Sequence, residues 1–261
     1  MIGKSTAMGL MLVAGTVLAG GRGNRVIVVD DFNDGDASGW EETDFTAGRG
    51  SFTVVGGKYV LQMTEPIAID DPSVGALDAD WEPSMENPMF SNGTVRGTIR
   101  ANTYGTTVGF LLRDSHETES DYGFFGSTSF GTFYIERFEL LAHPEAPQTI
   151  LAMADPEDFP FAAGEDWNIE ARVIGRQLRM WAWKVGDQRP RRPLLSVADK
   201  VLGPDSGSGI AAIAFFDPAP LISQGVTEVQ VSGTVDNITF TPGRGRNRFE
   251  DDDDGDGGDD D

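Results

Sequence analysis

The sequence predicts an all-β fold, an antiparallel sandwich of two sheets, from three observations. Gly 33 and Pro 14 in 261 residues favour many short strands joined by tight turns. Around a dozen short segments between these breakers alternate apolar and polar side chains, which is the period of a half-buried strand. Between residues 26 and 242 no segment repeats apolar residues at the spacing of an amphipathic helix. The even spacing of the predicted strands indicates two packed sheets in one domain over residues 26–242.

The clearest strand signal is the stretch DWNIEARVIGRQLRMWAWKV, residues 166–185. Two alternating runs meet at Gly175 and Arg176, where glycine suits a tight turn. In the second run Arg179, Trp181 and Trp183 share one face, opposite the apolar face of that run. The stretch therefore predicts a β-hairpin whose outward face carries two indoles beside an arginine.

The other elements follow from the same alternation. A first strand is predicted at residues 26–31 and is followed by a turn dense in Asp, Asn and Gly. Residues 70–87 and 142–164 are rich in proline or acidic residues without periodicity, so both are predicted to be loops. The remaining strands are predicted at residues 51–55, 58–63, 94–101, 106–114, 122–127, 132–140, 190–198, 209–217 and 226–241.

Residues 1–21 have the pattern of a secretory signal peptide. Lys4 precedes a short apolar run at residues 9–18, and small residues follow at a plausible cleavage position. The run is about half the length that a membrane-spanning helix needs, so no membrane span is predicted. We expect a secreted, extracellular or periplasmic protein; the alternative is a buried N-terminal helix or an uncleaved anchor.

Composition excludes several classes of partner and site. The formal net charge of −22 argues against nucleic-acid binding, because phosphates would be repelled. The absence of cysteine excludes disulfides and thiolate metal sites. Residues 243–261 combine a basic, glycine-rich linker with a run of aspartates that cannot bury a core, so a disordered linker and acidic tail are predicted there.

Several motifs occur in an order that resembles the concanavalin A-like lectin and glucanase superfamily, in particular its laminin-G-like bacterial members. These motifs are DDFNDGDASGW, SFTVVGGKYVLQ, GFLLRD, WNIEARVIGRQL and VDNITF. The resemblance covers roughly residues 26–242 and implies a jelly roll of two curved antiparallel sheets. It also implies that the first and last strands pair and that a glycan-binding or catalytic groove lies on the concave sheet.

Glycosidases of that superfamily commonly carry Glu-x-Asp-x-x-Glu on one strand, and retaining hydrolysis needs two carboxylates about 5 Å apart. That spacing is absent: residues 165–170 lack the middle aspartate in register, and the alternating acids of residues 117–121 lie in a predicted loop. We therefore expect a non-catalytic protein. Acidic residues that converge from separate strands stay open as an alternative.

Carbohydrate binding requires apolar rings beside hydrogen-bonding groups, because a pyranose has C–H faces and hydroxyl edges. Trp181 and Trp183 supply two rings on one strand face. Neighbouring polar candidates complete the predicted glycan site: Arg179, Arg113, Tyr134 and Glu136. The alternative is that both indoles are structural and pack beneath a loop or an edge of the sandwich.

A structural Ca²⁺ is the predicted cofactor, because hard cations prefer several oxygen ligands. Aspartates cluster at the end of the first strand, Asp34 among them, and Asp236 lies on the closing strand. Superfamily members often hold calcium between the paired terminal strands, which implies Asp31 and Asp236 as ligands. A solvated Asp-Gly turn without metal is the alternative.

Three functions are compatible with these features. The first is a secreted, non-catalytic, lectin-like module that binds a polysaccharide or glycan. The second is a glycoside hydrolase or lyase of the same fold. The third is a structural or adhesive surface protein that self-associates through its cation-bridged acidic tail.

Overall fold

The computed structural model describes residues 26–70, 75–85, 87–115, 117–144, 147–203 and 206–243. The predicted signal peptide and, apart from Gly243, the predicted linker and acidic tail lie outside these residues. Two large antiparallel sheets contain most of the described chain, which confirms the predicted all-β sandwich. The described residues include no helix that is long and apolar enough to cross a membrane.

Sheet A has eight strands within the described residues. From edge to edge they are β14 (Leu195–Ala198), β13 (Gln177–Lys184), β12 (Trp167–Ile174), β7 (Gly93–Ala101), β17 (Ser232–Pro242), β4 (Lys58–Met63) and β3 (Gly50–Val55), with β1 (Ile27–Asp30) paired to β17. The pairing of β1 with β17 joins the first and last strands, as the superfamily resemblance implies.

Sheet B has seven strands in the same part of the chain. In order they are β11 (Gln148–Met153), β10 (Thr132–Glu139), β9 (Ser120–Ser127), β8 (Thr107–Ser115), β15 (Gly209–Phe215), β6 (Leu77–Trp81) and β2 (Trp40–Asp44). Short elements complete the described structure: β5 (Ile67–Ala68) paired with β16 (Glu228–Val229), α1 (Pro218–Ser223), and 3₁₀ turns at Glu82–Ser84 and Pro88–Phe90.

The main core lies between the two sheets. Sheet A contributes the inward positions of each alternating strand, among them Ile169 and Met180, and sheet B contributes Phe110 and Phe124. A second, smaller apolar cluster lies on the opposite side of sheet B and includes Phe125. Because alternation places neighbouring residues on opposite faces, this second cluster identifies the outer face of sheet B.

Four strands lie where the sequence predicts loops or no strand. β6 falls within predicted loop 70–87 and β11 within predicted loop 142–164, while β2 and the two-residue β5 lie in segments without a strand prediction. β11 is an edge strand whose residues are mostly exposed, so it lacks an apolar face for a pattern to detect. β9 also begins two residues earlier than predicted, which brings Asp121 into the strand.

Candidate functional site

The hairpin of β12 and β13 forms as predicted, with its turn at Gly175. Trp181 lies opposite Glu170, and Trp183 lies opposite Asn168. Neither indole belongs to the main core between the sheets, whereas Met180 and Ala182 of the same strand do. The alternation therefore places both indoles on the outer face of sheet A, together with half-buried Arg179.

The outer face of sheet A does not present these indoles as an open platform. Trp181 is 4% exposed and Trp183 is 5% exposed. The guanidinium carbons of Arg172 and Arg189 lie 5.0 and 4.4 Å from the centre of the Trp181 ring. That of Arg96 lies 4.9 Å from the centre of the Trp183 ring. Cation–π contact thus occupies the apolar rings that sugar stacking would need.

A groove of about 740 Å³ lies on this outer face, beside the covered indoles. Its lining is dominated by hydroxyl, amide and charged side chains rather than by aromatic rings. The polar lining residues are Thr94, Arg96, Thr98, Asn168, Glu170, Arg172, Asn237, Thr239 and Thr241. They come from β7, β12 and β17, which are adjacent in sheet A, so neighbouring strands build one continuous polar floor.

Several contacts fix the floor of the groove. Glu170 accepts hydrogen bonds from Nε and Nη2 of Arg189 at 2.6 and 2.5 Å, a two-pronged pair. Arg172 donates through Nε to the Thr94 hydroxyl at 3.0 Å, and Thr98 donates to the Asn168 side-chain oxygen at 3.3 Å. These contacts hold the polar groups in place before any ligand binds.

The predicted glycan-site residues do not all meet. Tyr134 and Glu136 lie on the outer face of sheet B, away from the indoles of sheet A. The Tyr134 side chain is fully buried, and its hydroxyl donates to Asp217 at 3.2 Å.

Arg113 also lies elsewhere, because a bulge in β8 interrupts the alternation there and the residue has φ +56°. Its side chain is fully buried and donates to main-chain oxygens of Ser91, Gly175 and Leu202. The structure therefore brings together Arg179, Trp181 and Trp183, and carbohydrate binding by the predicted set stays a prediction.

The outer face of sheet B carries a group of carboxylates of which the sequence analysis singled out only Glu136, as part of the glycan site. One row of paired residues crosses five adjacent strands, from Glu136 on β10 to Asp80 on β6. The residues between them in this row are Gly123, Leu111 and Ala211. Further carboxylates lie in neighbouring rows of the same face: Asp78, Asp114 and Asp121. Acidic residues from four separate strands thus converge, which is the arrangement that the sequence left open.

Burial raises the pKa values of four carboxyls in this group, Asp78, Asp114, Asp121 and Glu136. Desolvation, followed by repulsion from Asp80, raises the pKa of Asp121 to about 7. Desolvation likewise raises the pKa values of Asp78, Asp114 and Glu136 well above their ordinary range. Asp114 also shares a hydrogen bond with Asp80, which raises its pKa further. Burial of this kind favours the protonated form of a carboxyl over the charged form.

A sequence signal for part of this group exists in hindsight. In LDADW, Leu77, Ala79 and Trp81 alternate with two aspartates, which is the period of a strand. Two acids in a segment rich in proline and acids obscured that alternation. Asp121 was missed because its acidic neighbours on the N-terminal side indicate a solvated loop.

The predicted calcium ligands are only partly assembled. The pKa of Asp236 is raised, mainly by desolvation and to a smaller extent by the negative charge of nearby Asp31. Asp34 accepts a hydrogen bond from the Asp36 amide in its own turn. No group of three or more Asp, Glu or His side chains could hold a metal ion among the residues that the structure describes. Calcium binding by Asp31, Asp34 and Asp236 stays a prediction.

Comparison with known proteins adds evidence on the fold. No protein-family model and no curated protein matches the sequence.

Solved structures do match. The β-glucanase of Bacillus licheniformis is 10% identical with a TM-score of 0.54, and the match covers 86% of this chain and 100% of that one. A prokaryotic β-1,3-1,4-glucanase (lichenase) from a mouse hindgut metagenome is 10% identical with a TM-score of 0.54, covering 82% and 97%. An endo-β-galactosidase of Clostridium perfringens that releases GlcNAcα1-4Gal is 12% identical with a TM-score of 0.52, covering 90% and 64%. The chain therefore has the jelly-roll sandwich fold of these solved structures.

Proposed function

We propose that this protein binds a carbohydrate in the groove on the outer face of sheet A. The observation that carries the proposal is the polar lining of that groove, which spans three adjacent strands. Structures of the same fold include proteins whose names describe action on glucans and galactosides, which supports a carbohydrate ligand.

The lining suits the chemistry of a sugar chain. Sugar hydroxyls both donate and accept hydrogen bonds, and the groove offers threonine hydroxyls, the amides of Asn168 and Asn237, and guanidinium donors. Val26 and Val185 add apolar contacts to the same lining. A volume of about 740 Å³ lies within the range of small-molecule sites and suits a short oligosaccharide segment.

Filling the groove is expected to abolish binding. Thr241 is half-buried and lines the groove, so Thr241→Trp places an indole where the ligand would lie. We expect retention on an immobilised polysaccharide panel of β-1,3-glucan, cellulose, xylan and dextran to fall at least about tenfold, since a steric block removes more than about 1.4 kcal/mol of binding.

The matched control is Thr53→Trp, an exposed position on edge strand β3 of the same sheet and outside the groove lining. Both variants should retain the wild-type thermal midpoint. Equal retention of wild type and Thr241→Trp would remove this groove as the binding site.

The carboxylates on sheet B favour a second candidate, a glycoside hydrolase or lyase. Glu136 and Asp121 come from separate strands and have raised pKa values, as a general acid requires. This candidate predicts release of reducing ends from at least one polysaccharide, lost in Glu136→Gln and retained in Thr241→Trp. A broad substrate screen without any released product would exclude it.

We further propose that the protein acts outside the cytoplasm, in line with the signal pattern of residues 1–21. Self-association through the acidic tail is a separate proposal, tested by deleting residues 250–261 and measuring sedimentation with and without Ca²⁺.

A further inference from the structure

Charge is distributed unequally between the two outer faces, although the whole chain has a formal net charge of −22. The outer face of sheet B carries the carboxylates described above. Of the fourteen lysines and arginines that the structure describes, six lie on the strands and turns around the sheet A groove: Arg96, Arg100, Arg172, Arg179, Lys184 and Arg189. Arg100 and Lys184 are paired with Asp166 and Glu165. A cation that lines the groove without a carboxylate partner attracts anions there, even in an acidic protein.

Arg96 is the most available of these cations. Its side chain is exposed and lines the groove, while its guanidinium lies over the Trp183 ring at 4.9 Å. Within the part of the chain that the structure describes, no ion pair or side-chain hydrogen bond involves its guanidinium. A cation–π contact of this kind holds the guanidinium over the indole without using its N–H donors.

The carboxylate of the groove floor is already compensated. Glu170 is the acidic residue among the described lining residues, and Arg189 binds both of its oxygens. Arg172 lies 3.5 Å from the same carboxylate through Nη2, and its Nε is bound to Thr94. The pair of Glu170 and Arg189 is close to neutral, so Arg96 and Arg172 leave the groove with excess positive charge.

We infer that this groove selects glycans that carry anionic groups, either carboxylates of uronic acids or sulfate esters. The inference rests on the proposed function, because it names the class of glycan for the same groove. An oriented guanidinium forms two parallel hydrogen bonds with a carboxylate or sulfate, and a neutral hydroxyl cannot supply that charge-assisted pair. Arg96 is the residue assigned to this contact.

The experiment compares matched ligands that differ only in charge. Each neutral polysaccharide of the retention panel is tested beside its carboxymethyl and sulfate derivatives, by biolayer interferometry at pH 7.5 and 150 mM NaCl. The charged derivatives are expected to bind about tenfold more tightly, a difference of about 1.4 kcal/mol, since charge-assisted hydrogen bonds are stronger than neutral ones. Preference for the carboxymethyl form indicates a uronate ligand, and preference for the sulfate form indicates a sulfated one.

Variants then test Arg96 itself. Arg96→Gln keeps hydrogen-bonding capacity but removes the charge, so it is expected to weaken binding to charged derivatives about tenfold more than it weakens binding to neutral polysaccharides. Arg191→Gln makes the same charge change at an exposed position outside the lining and should have no effect. Poly-glutamate, a polyanion without sugar, should bind at least tenfold more weakly than the charged glycans.

The outcomes separate the two proposals. If neutral and charged forms bind equally and Arg96→Gln changes nothing, the anionic selectivity is wrong while carbohydrate binding stands. Equal binding of poly-glutamate also overturns the selectivity, because any polyanion would then suffice. If no polysaccharide binds, or if Thr241→Trp binds all of them as wild type does, the proposed function fails as well.

Discussion

Asp121→Asn is expected to raise the free energy of unfolding at pH 8 and to flatten its dependence on pH. Asp121 is 6% exposed, and its Oδ1 has no hydrogen-bond partner in the described structure. Desolvation and the charge of Asp80 raise its pKa from 3.8 to about 7. The folded protein therefore favours the neutral carboxyl, and asparagine has the shape of that form without the capacity to ionise.

The direction of the effect follows from linkage. A carboxyl whose pKa is higher in the folded state contributes its full stability below the unfolded pKa, near 4, and loses it as pH rises through the folded pKa, near 7. The shift from 3.8 to about 7 corresponds to at most about 4 kcal/mol at complete ionisation. We expect the free energy of unfolding of Asp121→Asn, measured relative to wild type, to be about 2–4 kcal/mol higher at pH 8 than at pH 4.

Urea denaturation of wild type and variant at pH 4, 6 and 8 measures this difference. Asp187→Asn serves as control, because Asp187 is exposed in a turn. Its substitution should change the free energy of unfolding by the same amount at pH 4 and at pH 8. If Asp121→Asn were less stable than wild type at pH 8, the folded state would need the ionised carboxylate, and a bound cation on this face would become the better explanation.

Arg113→Met is expected to cost roughly 3–5 kcal/mol of stability, because a fully buried hydrogen-bonded cation is removed while its partners stay buried. Nε donates to the Ser91 carbonyl at 2.8 Å, Nη1 to the Leu202 carbonyl at 2.7 Å and Nη2 to the Gly175 carbonyl at 2.7 Å. Nη2 also donates to Asn92 Oδ1 at 3.0 Å. One side chain thus joins the turn of the sheet A hairpin to two loops at one end of the sandwich.

The lysine variant makes this prediction specific. Arg113→Lys keeps the charge but replaces the guanidinium fork with a single ammonium, so it should recover only part of the loss. Arg176→Met, at an exposed position in the hairpin turn, controls for loss of charge and should change stability by less than about 0.5 kcal/mol. A loss below about 1 kcal/mol for Arg113→Met would contradict the structural role of Arg113.

Much of the fold was predictable from local pattern. The hairpin around Gly175 has both strand boundaries within a residue or two of prediction, since each strand has one continuous apolar face. In β4, Tyr59 and Leu61 share one face of the alternating strand, and both are fully buried. Alternation can be recognised in a single strand, because any strand with one buried face needs apolar residues at every second position. The identity of the neighbouring strands does not change this requirement.

The candidate sites were less predictable, because they depend on neighbouring strands. Trp181 and Trp183 were correctly assigned to the outer face, yet their exposure depended on Arg96, Arg172 and Arg189, which come from other parts of the chain. Asp80 lies 41 residues before Asp121 in the sequence, and Asp121 lies 15 residues before Glu136. The order of strands in sheet B places all three on one face.

The sequence alone determined the fold class and the side of each clear strand that faces the core, since side-chain alternation is a local property with a period of two. Only the tertiary structure decided that arginines cover the indoles and that acidic residues from four strands share one face. Those features depend on long side chains and on strand order, which hydrogen bonding between distant segments sets. The polar groove and the acidic face thus result from sheet assembly rather than from any single motif.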